Sequence, residues 1–263
     1  MKLGKYRIIV FLYSIIGLGI LGCGAGNRPV ETKNIEVHGH FVNMTFLDNI
    51  SDSLPGTIPV YCYEFNFSYK DSVDINFGFE TARFGTSRSG DTMIIKNACN
   101  KGDLSILLNP DSSFVLIDSA WTGLEVNSVF KKSELITKDE WHFDYYLNEQ
   151  MIAGKYFVDA PPTSSQMSFF EFDASGKIKG FDQFITYKIC YSGDCVGLTT
   201  PLSNTIDFTD IKGNTTTFAF AINNTFGRHI NLFKLGESLP DMKGEIPIKE
   251  KFAGLSQIVD AKN

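Results

Sequence analysis

From Ile35 onwards, apolar and polar positions alternate with a period of two, the pattern of strands with one buried face. The clearest stretch is Tyr61-Cys62-Tyr63-Glu64-Phe65-Asn66-Phe67-Ser68-Tyr69, which puts five aromatic rings on one side and Cys62, Glu64, Asn66 and Ser68 on the other. Lys70-Asp71-Ser72 supplies turn chemistry, and Val73, Ile75, Phe77 and Phe79 then resume the alternation. The two segments predict a β-hairpin whose apolar faces coincide. Further strands are predicted at Met93 to Lys96, Leu104 to Leu108 and Phe114 to Asp118, with Asn109-Pro110-Asp111-Ser112 as the turn between the last two. Later candidates are Trp141 to Leu147, Tyr156 to Asp159, Met167 to Phe172, Phe181 to Ile189, Val196 to Thr199, Thr205 to Phe208, Thr217 to Ile222 and Arg228 to Leu235.

Helical patterning is scarce. Thr122-Gly123-Leu124-Glu125 fits a capping box opening a segment through Lys132, although Val126 and Val129 fit a strand equally well. Ile248, Phe252, Leu255 and Ile258 recur at helical spacing and predict a short amphipathic helix at Ile248 to Val259, weakened by Gly254. The fold class that follows is all-β: an antiparallel sandwich or barrel of many short strands with a short C-terminal helix. Residues 35–263 read as one β-rich domain, and a subdivision would fall near 131–140 or 159–166.

Composition narrows the partners. A net charge of −6 and a pI near 5.3 argue against nucleic acid, which needs a basic face. The 23 phenylalanines supply either a thick core of rings or a ring-lined lumen for an apolar or glycan ligand. On the second reading Tyr61, Tyr63, Phe65 and Phe67 are the ligand-binding candidates.

The first residues carry a different signal. Lys2, Lys5 and Arg7 precede an apolar run from Ile8 to Leu21, too short for a bilayer-spanning helix and typical of a secretory signal. The run ends in Ile20-Leu21-Gly22-Cys23, which resembles the lipobox of bacterial lipoproteins. That resemblance implies that residues 1–22 are a signal peptide, that cleavage falls before Cys23, and that its sulfur is lipidated. Several acyl chains on one residue give stable anchoring. Loss of Lys2, Lys5 and Arg7 takes the net charge to −9, and Gly24 to Asn34 reads as the end of a flexible tether spanning 23–34. No aspartate follows Cys23 directly, which in enterobacterial lipoproteins favours the outer membrane. The resemblance extends to lipoproteins of Bacteroidota type, save for the acidic run that their surface-exported members often carry there. The expected location is the cell envelope, at the periplasmic face of the outer membrane.

Export also permits disulfides. Cys190-Tyr191-Ser192-Gly193-Asp194-Cys195 fits a hairpin whose two-residue turn sets Cys190 opposite Cys195 in a non-hydrogen-bonded pair, close enough for a bond. Cys62 and Cys99 remain as a second pair.

Catalytic signatures for metalloproteases, dinucleotides, phosphate loops and thiol redox chemistry are absent. Gly85-Thr86-Ser87-Arg88-Ser89-Gly90 lacks the spacing of a nucleophile elbow. His38 and His40 share a strand face at a spacing that can chelate a metal, yet two ligands do not make a site. No cofactor and no metal are expected. Arg83 and Arg88, on a predicted loop from Thr81 to Asp91, are placed to meet an anionic ligand or partner. The expected function is a non-enzymatic, lipid-anchored β-domain that binds a ligand or an envelope protein. The alternatives are an envelope hydrolase acting on glycans or lipids, and a structural assembly subunit.

Overall fold

The computed structural model describes residues 35–50, 60–99, 102–117, 128–136, 141–159, 169–181, 183–191, 204–225, 227–236 and 246–258. They fall within one compact unit, Asn34–Asn263. Its first half is a closed antiparallel barrel of eight short strands: β1 (His40–Asn43), β2 (Glu64–Asn66), β3 (Ser72–Asn76), β4 (Thr81–Ser89), β5 (Thr92–Cys99), β6 (Gly102–Leu108), β7 (Ser113–Leu116) and β8 (Val129–Lys132). Neighbours in sequence are neighbours in space, and β8 closes on β1 by pairing Lys132 with Phe41. Eight strands enclose an interior just wide enough for side chains to fill. Phe41, Phe65, Phe67, Phe114 and Phe130 fill it together with Val73, Ile75, Ile95, Leu104 and Ile106. Phe114 and Phe130 stack at 5.0 Å, and Phe65 meets Phe130 edge-on at 4.9 Å.

The second half is an eight-stranded antiparallel sheet of β9 (Gly154–Val158), β10 (Phe169–Phe172), β11 (Ile178–Lys179), β12 (Thr186–Cys190), β13 (Asn204–Thr209), β14 (Thr215–Asn223), β15 (His229–Leu235) and β16 (Ile248–Gln257). The spatial order is β11-β10-β9-β16-β15-β14-β13-β12. A bridge between Lys177 and Thr186 joins the two ends of that order, so the sheet curls on itself. Its inner face carries Tyr156, Phe172, Phe208, Phe218 and Leu232. Two helices, α1 (Met44–Asn49) and α2 (Phe143–Met151), add Phe46, Leu47, Phe143, Leu147 and Met151 to the same core. Val42 joins that core from the barrel wall, so both halves share one apolar seam.

Most predicted strands match, and the exceptions have physical reasons. The segment Trp141 to Leu147 is not a strand: it opens α2, where Phe143, Leu147 and Met151 recur every four residues and are all buried. The predicted C-terminal helix is instead β16, the central strand between β9 and β15. Ala253 faces Leu232, Lys251 faces Phe233 and Ile248 faces Leu235, so each step leaves one extra residue on β16. Such bulges break the period of two. Phe252 and Leu255, three apart, therefore both pack on the same core and imitate helical spacing. The predicted loop Thr81 to Asp91 is largely β4, whose small polar residues alternate exposed and half-buried along a solvated strand. Tyr61 to Tyr69 is strand only at Glu64–Asn66, and its rings do not share one face. Tyr61, Phe65 and Phe67 enter the barrel, Tyr63 joins the other core, and Tyr69 is exposed. Phe79, expected on the apolar side of the hairpin, is exposed as well. The hairpin itself forms, with Phe65 opposite Ile75. The capping box at Thr122 and the strand at Val196 to Thr199 lie outside the described residues, and Val129–Lys132 is strand.

Candidate functional site

Among the described residues, polar side chains on the outer wall of β1 and β2 gather into a chemical cluster. Antiparallel pairing of Val42 with Glu64 puts His40, Val42 and Glu64 on one face, opposite the rings that fill the barrel. The N-terminus of α2 packs over that face. Glu64 is fully buried, and its two carboxylate oxygens are divided between two elements. One accepts from the backbone N–H of Phe143 at 2.7 Å, and the other meets His40 Nδ1. Phe143 is the first residue of α2, and its N-cap His142 makes no side-chain capping bond. A carboxylate from the barrel therefore satisfies a helix N–H that has no partner inside the helix, at the end where the dipole favours negative charge.

His142 is 2% exposed and lies flat against His40, with ring centroids 4.0 Å apart and planes 15° apart. Its Nδ1 is 2.7 Å from Ser133 Oγ, which in turn sits 3.2 Å from the hydroxyl of Tyr146 on α2. Trp141 stands edge-on to His40 at 6.1 Å. One ligand atom each from His40, Glu64 and His142 lies within 4.8 Å of the other two. The same wall extends to the second sheet: Tyr63 donates to the carbonyl of Tyr191 at 3.0 Å, and Tyr191 donates to Asp144 of α2 at 2.6 Å. Burial pushes the Tyr63 hydroxyl up to about 12. Burial, reinforced by Asp144, drives the Tyr191 hydroxyl above its ordinary range. Both phenols remain neutral donors.

The sequence signal for this cluster was partial. His40 stands out, but its neighbour in sequence, His38, is exposed and takes no part. Glu64 was assigned to a solvated strand face, and His142 sat in a segment read as strand. Their distances of 24 residues from His40 to Glu64 and 79 from Glu64 to Phe143 hide the cluster from any local motif.

The other candidates separate. Tyr61, Phe65 and Phe67 are barrel core, and Tyr61 donates to the carbonyl of Ala98 at 2.5 Å. Arg83 is held by Asp74 through two bonds of 2.6 and 2.8 Å and lies 3.9 Å over the ring of Tyr69. The Asp74 hydrogen bonds raise its pKa further, and its charge is committed within the barrel wall. Arg88 donates to the carbonyls of Gly90 and Ile35 at 2.7 and 2.5 Å and borders an open groove of about 620 Å³. Ile35, Val37 and Met93 give that groove an apolar floor, and Glu36, Lys70 and Asp71 charge its rim.

Among the cysteines, Cys62 is a buried free thiol, which overturns the Cys62–Cys99 pair. Burial raises its pKa well above the ordinary thiol value. Cys99 ends β5, pairing through its backbone with Gly102. Cys190 is not a free thiol; it ends β12 opposite Thr205, and Cys195 and Cys23 lie outside the described residues.

A third cluster resembles a serine-hydrolase constellation only in its residue types. Ser256 Oγ lies 3.0 Å from His229 Nδ1 and donates to Asp159 at 3.0 Å. The hydroxyl carries one proton, and Asp159 competes for it with the imidazole. A triad carboxylate instead holds the imidazole and leaves the hydroxyl to it.

No family model matches the chain, and no curated protein or solved structure matches it either.

Proposed function

We propose that this chain is a lipid-anchored protein of the bacterial cell envelope that works by binding a protein partner through the groove beside Arg88. The filled barrel carries this reading. Its interior is occupied by its own rings, which turns recognition to the outer surface. The groove combines an apolar floor with charges of both signs, the composition of a protein-docking site. The lipobox ending at Cys23 supports the anchor, and the missing aspartate behind it supports the outer membrane. A Cys190–Cys195 bond belongs to the same proposal, in keeping with the engaged state of Cys190.

The hydrolase alternative rests on Ser256, His229 and Asp159, where the carboxylate bonds the serine hydroxyl itself rather than orienting the imidazole. Two measurements test the proposal. Cys23→Ser should move the protein from the membrane pellet to the soluble fraction, and a variant that still pellets after a high-salt wash refutes the anchor. A photo-crosslinker at Ser87 should capture a discrete protein adduct in cells that Arg88→Glu abolishes. A crosslinker at Ile211, exposed on the second sheet, is the control; the same adducts from both positions refute the groove.

A further inference from the structure

The geometry points to a divalent transition-metal site, best suited to zinc, formed by His40, Glu64 and His142 between the barrel wall and α2. The inference is independent of the partner-binding groove.

Two imidazoles and a carboxylate are the donor set of many three-ligand zinc sites, in which a fourth position is left to water. Here the three ligand atoms already lie within 4.8 Å of one another. Donors on one tetrahedral zinc are about 3.3 Å apart, given bonds of roughly 2.0–2.1 Å. The donor atoms therefore need to shift by about an ångström, and the two imidazoles, stacked 15° from parallel, must tilt so that both in-plane lone pairs converge on the ion. His40 Nδ1 and a Glu64 carboxylate oxygen already face each other, and an ion entering between them replaces that contact with two coordinate bonds.

Groups behind the donors make this more than a chance meeting of three side chains. The Phe143 N–H holds the second oxygen of Glu64, orienting the carboxylate. Ser133 contacts His142 Nδ1 and is itself backed by Tyr146. Metal-ligating histidines and carboxylates characteristically have such outer partners. Access is also provided: the His40 side chain is 10% exposed while Glu64 is closed to solvent, so an ion can enter past His40 onto a low-dielectric floor. A buried carboxylate and two imidazoles that served packing alone would gain nothing from zinc.

The test uses the mature protein, stripped with chelator and titrated with zinc or cobalt at neutral pH. The expected result is one equivalent of zinc bound, with a raised Tm and visible absorption bands of low-coordinate cobalt. His40→Gln keeps a hydrogen-bonding side chain of similar reach and should remove stoichiometric binding with the circular dichroism spectrum unchanged. Ser133→Ala, behind a ligand, should weaken affinity about 10–100-fold. Glu64→Gln serves as a further ligand variant where it folds. The proposal is overturned if the wild-type protein binds no stoichiometric zinc, or if His40→Gln binds zinc as tightly as wild type.

Discussion

Phe65→Ala is the sharpest probe of whether the barrel is filled or hollow. The ring is fully buried and sits among Phe67, Phe114 and Phe130, with centroids 6.1, 5.2 and 4.9 Å away. Truncating a buried phenylalanine costs about 3–5 kcal/mol, the sum of lost transfer free energy and a cavity term of about 24 cal/mol per Å³ that does not relax. A barrel closed by hydrogen bonds around its whole circumference has little freedom to collapse onto the gap. The expected loss is therefore near the upper end, about 4–5 kcal/mol. At roughly 2–4 °C per kcal/mol for a domain of this size, Tm should fall by about 8–20 °C. Urea unfolding followed by circular dichroism gives the free energy, with Phe79→Ala, at an exposed position, as a control expected within about 0.5 kcal/mol of wild type. A loss below about 1 kcal/mol for Phe65→Ala would refute the reasoning, since only a ring already bordering empty space is removed so cheaply.

Glu64→Ala removes the partner of both His40 and the Phe143 N–H and should destabilise by about 3–5 kcal/mol in chemical denaturation. Glu64→Gln, which keeps an acceptor for the helix N–H, should cost less; equal losses would count against the helix-capping role. Cys62 should resist alkylation at pH 8 in the native protein and react only in denaturant, because its thiol is buried and its pKa raised; rapid native labelling would contradict its placement. Asp111, Asp173 and Asp210 are held below the ordinary carboxylate range by hydrogen bonds from Ser113, Ser175 and Asn214 respectively. Their contribution is complete above the unfolded value of about 4 and is lost as pH falls through the lower folded values. Thermal stability should accordingly decline on acidification below about pH 4, and a Tm that rises there would refute the assignment.

The strands that alternate cleanly were legible from their own residues. Met93, Ile95, Leu104, Ile106 and Leu108 all point into the barrel, as the period of two requires. Legibility failed where a third element changed what a residue faced. Glu64 looks solvated on a strand read alone, yet α2 covers it. Tyr63 leaves the company of Tyr61 and Phe65 because the chain at that point is not yet strand, and a second core is available on the other side. In β16, its own bulges against β15, invisible in a single segment, rewrote its period. The candidate metal site lies wholly in this category, being made by tertiary contact between residues far apart in the chain.

The central position of β16 has a consequence for how the molecule is made. The barrel is a meander whose strands can pair in order as the chain emerges, with the closing contact of β8 on β1 the one pairing that spans the whole barrel. The second sheet cannot. Its strands β11-β10-β9 and β15-β14-β13-β12 meet only at the Lys177–Thr186 bridge, and the gap between β9 and β15 stays open until β16, the last of them in chain order, joins Val158 on one side to Ile230 on the other through Leu255. Closing that span is entropically slow. Until it closes, β9 and β15 present bare backbone edges, the kind of surface that pairs with the wrong chain. The growing chain thus has one long window of vulnerability, ended by a single late strand, which makes residues 248–257 the place where a folding helper or a small truncation would have its largest effect on yield.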